Sequence, residues 1–398
     1  MNITDHNRVG ILVGEEADLP WFVDSGFYSL LIRQGNRLGL DVYVITPSSS
    51  MSEGTGMIGY RYSAAAGTWS EETVPLPDLV YDRVFQKDAR GLLRYRSSLV
   101  ELRRKQDFIL LGNGLAGKWK VYQALLREPG LRRLVPRTVR LQDASLLVSW
   151  FGSCSSAFLK PDSGTQGKGA IRIIKQEDSG LYYLEGRDFN NKPFAHKFHS
   201  VNDLVSWVRR FASRRYLLQP YLNLISRSGD VYDVRSLVQK NGEGRWTLTG
   251  MAVRRGSSGS VTANLHGGGS AEAAEPFLQE QFGTERGKEK CALLRSLSLL
   301  IAEHLEGHFG RLAELGIDFG VDQDGRIWLI EVNSKPGRSV FRLLCDEEAR
   351  RNSLAYPMAY ASYLLAQRGD HIWRNHRLRF PLRSQGTTGI KPSLTINE

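Results

Sequence analysis

No stretch of this 398-residue chain comes near the ~18 uninterrupted apolar residues that a bilayer-spanning helix needs. The opening, MNITDHNRVGILVG, lacks the basic stretch and apolar core of a secretory signal, and Arg8 and Gly10 lead straight into a strand. Cysteine is scarce. Cys154, Cys291 and Cys345 are odd in number and far apart, with no CxxC or Cys/His spacing. That argues against a disulfide framework and against structural zinc, and it fits a reducing cytoplasm. There is no GxGxxG after the first strand, where Gly10 and Gly14 run into Glu15 and Glu16, so a dinucleotide site is not expected there. No GK[ST] precedes a helix, and no Ser/His/Asp or Cys/His set suggests a nucleophilic triad.

What the chain does have is positive charge. Lysine and arginine exceed aspartate and glutamate to give +11. Such a surplus suits nucleic acid, an anionic membrane or polyanionic small molecules, and equally a solvated basic surface. With 41% hydrophobic and 24% charged residues, the composition is that of a globular protein, long enough for two or three domains.

The run Arg8 to Gly14, a helically spaced stretch from Phe27 to Leu38, and Leu40 to Ile45 read as strand, helix, strand. A hairpin around Gly67 follows, then strands at Leu79–Val84 and Phe108–Leu111. Residues 1–112 therefore read as an N-terminal α/β domain with a parallel sheet. From Lys118 the texture shifts to a short helix, strands and glycine-rich loops. A long helix over Lys288–Phe309 precedes two closing strands, Ile317–Val321 and Ile327–Val332, joined at Asp324-Gly325. Beyond residue 370 the chain is basic and aperiodic, a loose tail over 371–398.

Chemistry concentrates in four stretches. In FLKPDSGTQGKGAI, an apolar strand delivers Lys160 to a loop of Ser163, Gly164, Thr165, Gln166, Gly167, Lys168 and Gly169. A loop so rich in glycine can turn its N–H groups onto phosphate oxygens, with Lys160 as a point charge beside them. The same pattern also fits an ordinary glycine-rich hairpin. In GIDFGVD and IWLIEVNSKPG, strand alternation puts Glu331 and Asn333 on one face, with Asp318 across the hairpin. Two carboxylates and an amide oxygen, without His or Cys, suit Mg²⁺ carrying nucleotide phosphates. In LLQPYL the strand breaks at Pro220, leaving backbone near Gln219, Tyr221 and Leu222 free for the edge of a base, and Asp233 can accept from ribose hydroxyls. Lastly, Arg254 and Arg255 precede the second glycine-rich loop, Asn264-Leu265-His266-Gly267-Gly268-Gly269, and suit a transferring phosphoryl group. His266 reads as a structural loop residue.

In this order the elements resemble the ATP-grasp superfamily over residues 113–367. The resemblance rests on Lys118, Lys160, the glycine loop, QPYL, DVR, NLHGGG, and Asp318 with Glu331-Val332-Asn333. Detail in KPDSGTQGKG, DVRSLV, ANLHGGG and EVNSKPG is similar to ribosomal-protein glutamate ligases. DLVYDRV together with KPDSGTQGKG and EVNSKPGR looks like the spore-associated YheC/YheD-type branch.

The resemblance implies an N-terminal parallel-sheet domain followed by a two-lobed α+β ATP-grasp part, with a small lobe over 113–215 and a large lobe over 216–370. It implies ATP and one or two Mg²⁺ as cofactors. Lys118 and Lys160 would contact phosphates beneath the Ser163–Gly169 loop. Gln219, Tyr221 and Leu222 would hold adenine, Asp233 the ribose, and Asp318, Glu331 and Asn333 the metal. The implied reaction is ATP-dependent joining of a carboxylate to an amine through an acylphosphate, on an amino acid, a peptide or an envelope component. Arg255 would stabilise the transferring phosphate and Arg338 would bind a substrate carboxylate.

Two departures stand out. Thr262 occupies a position where glutamate ligases carry arginine, and Pro220 one where the hinge commonly carries glutamate. The first leaves open an alternative, a spore-associated nucleotide-binding protein that has lost ligase activity. Nucleic-acid binding through the tail ranks last, because no aromatic-interleaved pattern supports it.

Overall fold

Val9, Ile11 and Leu12 are all buried, and a strand apolar on both sides belongs inside a parallel sheet. The computed structural model describes residues 7–14, 22–49, 56–85, 89–164, 167–212, 215–256 and 269–367. It places β1 (Arg8–Leu12) between β2 (Asp41–Ile45) and β5 (Leu79–Asp82), with β6 (Ile109–Leu110) beyond, all parallel. The hairpin of β3 (Gly56–Ser63) and β4 (Thr68–Pro75) extends the other edge antiparallel, giving the order β4-β3-β2-β1-β5-β6. Helix Ser25–Arg37 covers one side. Helix Ala89–Lys105, which the strand and turn signals did not indicate, covers the other.

The second sheet is antiparallel throughout. It is built from β7 (Val139–Leu141), β8 (Ser156–Pro161), β9 (Ile171–Lys175), β10 (Tyr182–Arg187), β11 (Pro193–Phe198) and β12 (Tyr216–Gln219), in the order β11-β10-β9-β8-β12-β7. Helix Val201–Phe211 backs it. Ser200 caps that helix by accepting from the Asp203 N–H, 3.1 Å away.

The third sheet orders β13 (Tyr232–Lys240), β14 (Trp246–Arg255), β15 (Ser270–Ala273), β16 (Glu314–Val321) and β17 (Ile327–Asn333) as β15-β14-β13-β16-β17. One face is apolar. Val234, Val253, Ile317, Phe319 and Val321 pack with Leu294, Ile301 and Leu305 of helix Thr284–Phe309. Gly325, at φ +81°, closes the β16–β17 turn in the left-handed region that glycine enters at no steric cost.

The last helix, Glu347–Gln367, joins the third sheet to the first. Leu354, Met358, Ala361 and Leu364 share a core with Val9, Leu31 and Val42 of the N-terminal unit, while Gln239 of β13 donates to the Ser353 carbonyl. Among the described residues no helix is long and apolar enough to cross a membrane. Thr165, Gln166, Thr262, Asn264, His266 and the tail over 371–398 lie outside the described residues.

Candidate active site between the two antiparallel lobes

The face of the third sheet turned away from the long helix is charged. Period-two alternation puts Asp233 and Arg235 of β13, Arg254 of β14, Asp318 of β16 and Glu331 and Asn333 of β17 on it, opposite the residues that enter the helix-covered core. Asp318 and Glu331 are direct register partners, and Asn333 pairs with Gly316. Between Asp318–Glu331 and Phe319–Leu329 the register shifts, which leaves Ile330 without a cross-strand partner. A bulge of this kind frees a backbone group. Here the Ile330 carbonyl accepts from Lys160 Nζ at 3.1 Å.

Lys118 reaches the same place from another direction. Its helix, Lys118–Leu125, starts where Asp162 accepts from the Trp119 N–H at 2.8 Å, and the Asp162 carbonyl accepts from the Lys118 N–H at 3.1 Å. Asp162 follows Lys160 by two residues, so one short segment fixes both lysines. Lys118 Nζ then lies 3.0 Å from Glu331 Oε1 and donates to the Gly164 carbonyl at 2.8 Å. Burial pulls Lys160 down to about 8. Glu331 pushes it back up and Lys118 pulls it further down.

The carboxylates are matched by cations. Asp233 takes both arms of Arg254, at 2.7 and 2.6 Å, and Arg254 also reaches Asp318 at 3.1 Å. Arg235 lies 2.5 Å from Asp318. Burial works to lower Arg254, but Asp233 and then Asp318 outweigh it and hold the guanidinium above its ordinary value. Arg235 has room to extend because Gly316 lacks a side chain; a Cβ there would sit 2.5 Å from the Arg235 Nη1. The cluster comprises Lys118, Lys160, Arg235 and Arg254 against Asp233, Asp318 and Glu331, one positive charge in excess. An incoming polyphosphate can take over the cations that now hold the carboxylates.

The donor set fits Mg²⁺ in one specific way. Among the described residues no three His, Cys, Asp or Glu side chains form a metal cage. Two carboxylates in register and an amide on the same face suit a small hard cation that takes its remaining oxygens from phosphate and water.

The glycine loop ends in a fixed anchor. Gly167 and Gly169 have φ +72° and +75°, and a Cβ on Gly169 would come within 2.8 Å of Phe189 and of the Tyr216 hydroxyl. That hydroxyl donates to the Gly169 carbonyl at 2.9 Å. Ser163, Gly164 and Lys168 are exposed above the cleft. Gln219 is buried opposite Phe158, and Tyr221 and Leu222 are half-buried beyond it. The guanidinium of Arg172 lies over the Tyr221 ring, 5.0 Å from its centroid.

Three sequence expectations meet different surroundings. Arg255 lies on the helix-covered side, paired with Glu272 at 2.9 Å and stacked on Phe277, so the arginine on the charged face is Arg254. Arg338 is already engaged by side chains and backbone around it. It pairs with Glu314, donates to the Tyr81 hydroxyl at 3.1 Å and to the Ser353 carbonyl at 3.1 Å, and stacks on Phe27. The cause is Glu314, a buried carboxylate that needs cations and draws in both Arg338 and Arg83, the latter at 2.8 Å. Asp233 already has both oxygens engaged by Arg254. Sequence reasoning passed over Arg235 and Asp162. Alternation with Asp233 marks Arg235, but nothing local marks Asp162 as a helix cap for a segment more than forty residues upstream.

A glycine-looped antiparallel lobe facing a charged sheet, behind a parallel N-terminal sheet, is the ATP-grasp architecture. Its likeness to a solved member is one of fold alone: the VanG D-Ala:D-Ser ligase of Enterococcus faecalis superposes with a TM-score of 0.53 at 12% identity, covering 90% of this chain and 99% of that one. The chain belongs to the YheC/D like ATP-grasp family, whose pattern matches residues 107–364. It is 28% identical over 355 residues to the endospore coat-associated protein YheC of Bacillus subtilis, spanning 87% of this chain and 94% of the relative. To the endospore coat-associated protein YheD of the same organism it is 29% identical over 384 residues, spanning 91% and 81%.

Proposed function

We infer that this chain is an ATP- and Mg²⁺-dependent ligase that joins a carboxylate to an amine. The observation that carries this reading is the Lys118–Glu331 pair beside Lys160, with Asp318 in register across the strand. Lys118 and Lys160 bind the β- and γ-phosphates, the loop from Ser163 to Gly169 covers them, and Asp318, Glu331 and Asn333 hold the metal. The backbone at Gln219, Tyr221 and Leu222 receives the adenine edge. A substrate carboxylate oxygen attacks the γ-phosphorus and ADP departs. An amine then attacks the acyl carbon, loses a proton and expels phosphate. Such chemistry asks for positioning and charge neutralisation more than for a nucleophilic side chain. The reading moves the phosphate-stabilising role from Arg255 to Arg254, the guanidinium on the charged face.

The substrates in this reading are an amino acid, a peptide or an envelope component made in the cytoplasm. Likeness to the two coat-associated relatives links the work to the spore. The test is Mg²⁺-dependent ADP release over a panel of carboxylates and amines, with product identified by mass. Activity that survives Glu331→Ala unchanged overturns the mechanism. Tight Mg-ATP binding with no turnover on any pair would instead favour a nucleotide-binding spore protein.

A further inference from the structure

Helix Ala89–Lys105 carries the crossover from β5 to β6 and buries only its inner side. Tyr95, Leu99 and Leu102 pack there on a core that includes Leu12, Tyr43 and Val80. At about 100° per residue, Leu93 and Val100 fall almost in line along the middle of the outer side. Leu93 is 64% exposed and Val100 51%, and no other large hydrophobic side chain among the described residues is as exposed as Leu93. Arg96 and Arg103 border that stripe on one flank, and Arg90, Arg94 and Arg104 on the other. All five are exposed, and Glu101 is the only acidic residue of the helix. Phe85, exposed too, lies just ahead of it.

One exposed leucine needs no explanation. A leucine and a valine in line, with margins almost wholly of one sign, form a pattern. Nucleic acid calls for cations at the centre of the contact and has no use for valine and leucine there. A lipid interface calls for the reverse. Apolar tips enter the acyl boundary shallowly while guanidinium groups at the sides hold phosphate. We propose that the outer face of helix Ala89–Lys105 docks this protein on an anionic lipid bilayer. None of these side chains belongs to the cleft between the lobes, so the proposal stands whether or not the ligase reading does.

The test is sedimentation of the full chain with vesicles of phosphatidylcholine alone and of phosphatidylcholine mixed with phosphatidylglycerol, at low and high salt. Binding is expected to the mixed vesicles only and to weaken with salt. Charge reversal of Arg90, Arg94 and Arg104 to glutamate should weaken it by at least about fivefold for each residue changed. Leu93→Ser with Val100→Ser should weaken it further at high salt, where the apolar contact carries more of the binding. Reversal of Arg374, Arg377 and Arg379 in the tail is the control for general charge and should have the smaller effect. Far-UV circular dichroism and nucleotide binding confirm that each variant is folded. The proposal is overturned by equal binding to neutral vesicles, by loss of binding with the tail variant but not the helix variant, or by retention of RNA or an acidic protein with no retention of vesicles.

Discussion

Lys160 and Ile330 lie 170 residues apart in the chain, yet the Lys160 ammonium donates to the Ile330 carbonyl at 3.1 Å. The bulge that frees this carbonyl also sets Glu331 opposite Asp318. One irregularity in one strand therefore serves both Lys160 and the pair of carboxylates.

The buried position of Lys160, which lowers it from 10.5 to about 8, gives a pH dependence with opposite signs for two observables. Nucleotide phosphates favour the charged lysine, so ATP affinity should fall as pH rises through 8, by up to about tenfold per pH unit. Stability of the free protein should rise between about 8 and 10.5, because there the unfolded chain holds the proton that the folded chain has released. Calorimetric titration of ATP across this range, with thermal unfolding in parallel, measures both. Lys160→Arg should flatten the affinity profile, since arginine keeps its charge.

Neighbouring arginines on β14 should behave differently. Arg254→Met removes both hydrogen bonds to the buried Asp233 carboxylate, together with the contact to Asp318, and should cost about 3–5 kcal/mol. Arg255→Met removes a pair with Glu272 that is partly open to solvent and should cost about 1 kcal/mol or less. Denaturant unfolding of the two variants distinguishes them. Equal losses would contradict the assignment of faces.

Gly316→Ala should act on the site and little on the core. The added methyl would meet Arg235 at 2.5 Å and Pro336 at 2.8 Å, displacing the guanidinium from Asp318. Mg-ATP binding is expected to weaken several-fold. Gly114→Ala, which meets nothing within 4 Å, should leave binding at the wild-type level when both variants are titrated with a fluorescent ATP analogue.

Asp162→Ala removes the side chain that accepts from the first turn of the Lys118 helix. Loss of such a cap costs about 1 kcal/mol. The more telling result is a weaker ATP affinity through a misplaced Lys118, to be read by calorimetry at a temperature where the variant is fully folded. Asp162→Asn retains an acceptor and should recover most of it.

Much of the site was legible beforehand because a strand has only two faces. Glu331 and Asn333 lie two residues apart, and Asp324-Gly325 closes a short turn, so Asp318 had to return near them. The glycines at 167 and 169 announced a loop whose backbone enters the left-handed region. The choice between Arg254 and Arg255 was not legible. Ala252 and Val253 are both fully buried, since β14 is covered by helices on one side and by Phe341 on the other, and a strand apolar on both faces gives alternation no phase. The partners of Arg338 were hidden for a related reason. Glu314, Tyr81 and Phe27 come from separate segments, two of them far upstream in the N-terminal unit.

By itself the sequence determined most element types and which side chains share a strand face, because these follow from spacings of two to four residues, while the family came from the resemblance of its motifs. Only the tertiary structure decided which cations meet which carboxylates, that Arg338 serves Glu314, and that Leu93 and Val100 stay exposed on an arginine-bordered helix face. Those outcomes depend on desolvation, which obliges a buried charge to find its opposite wherever the chain brings one within reach, and no local spacing records where that will be.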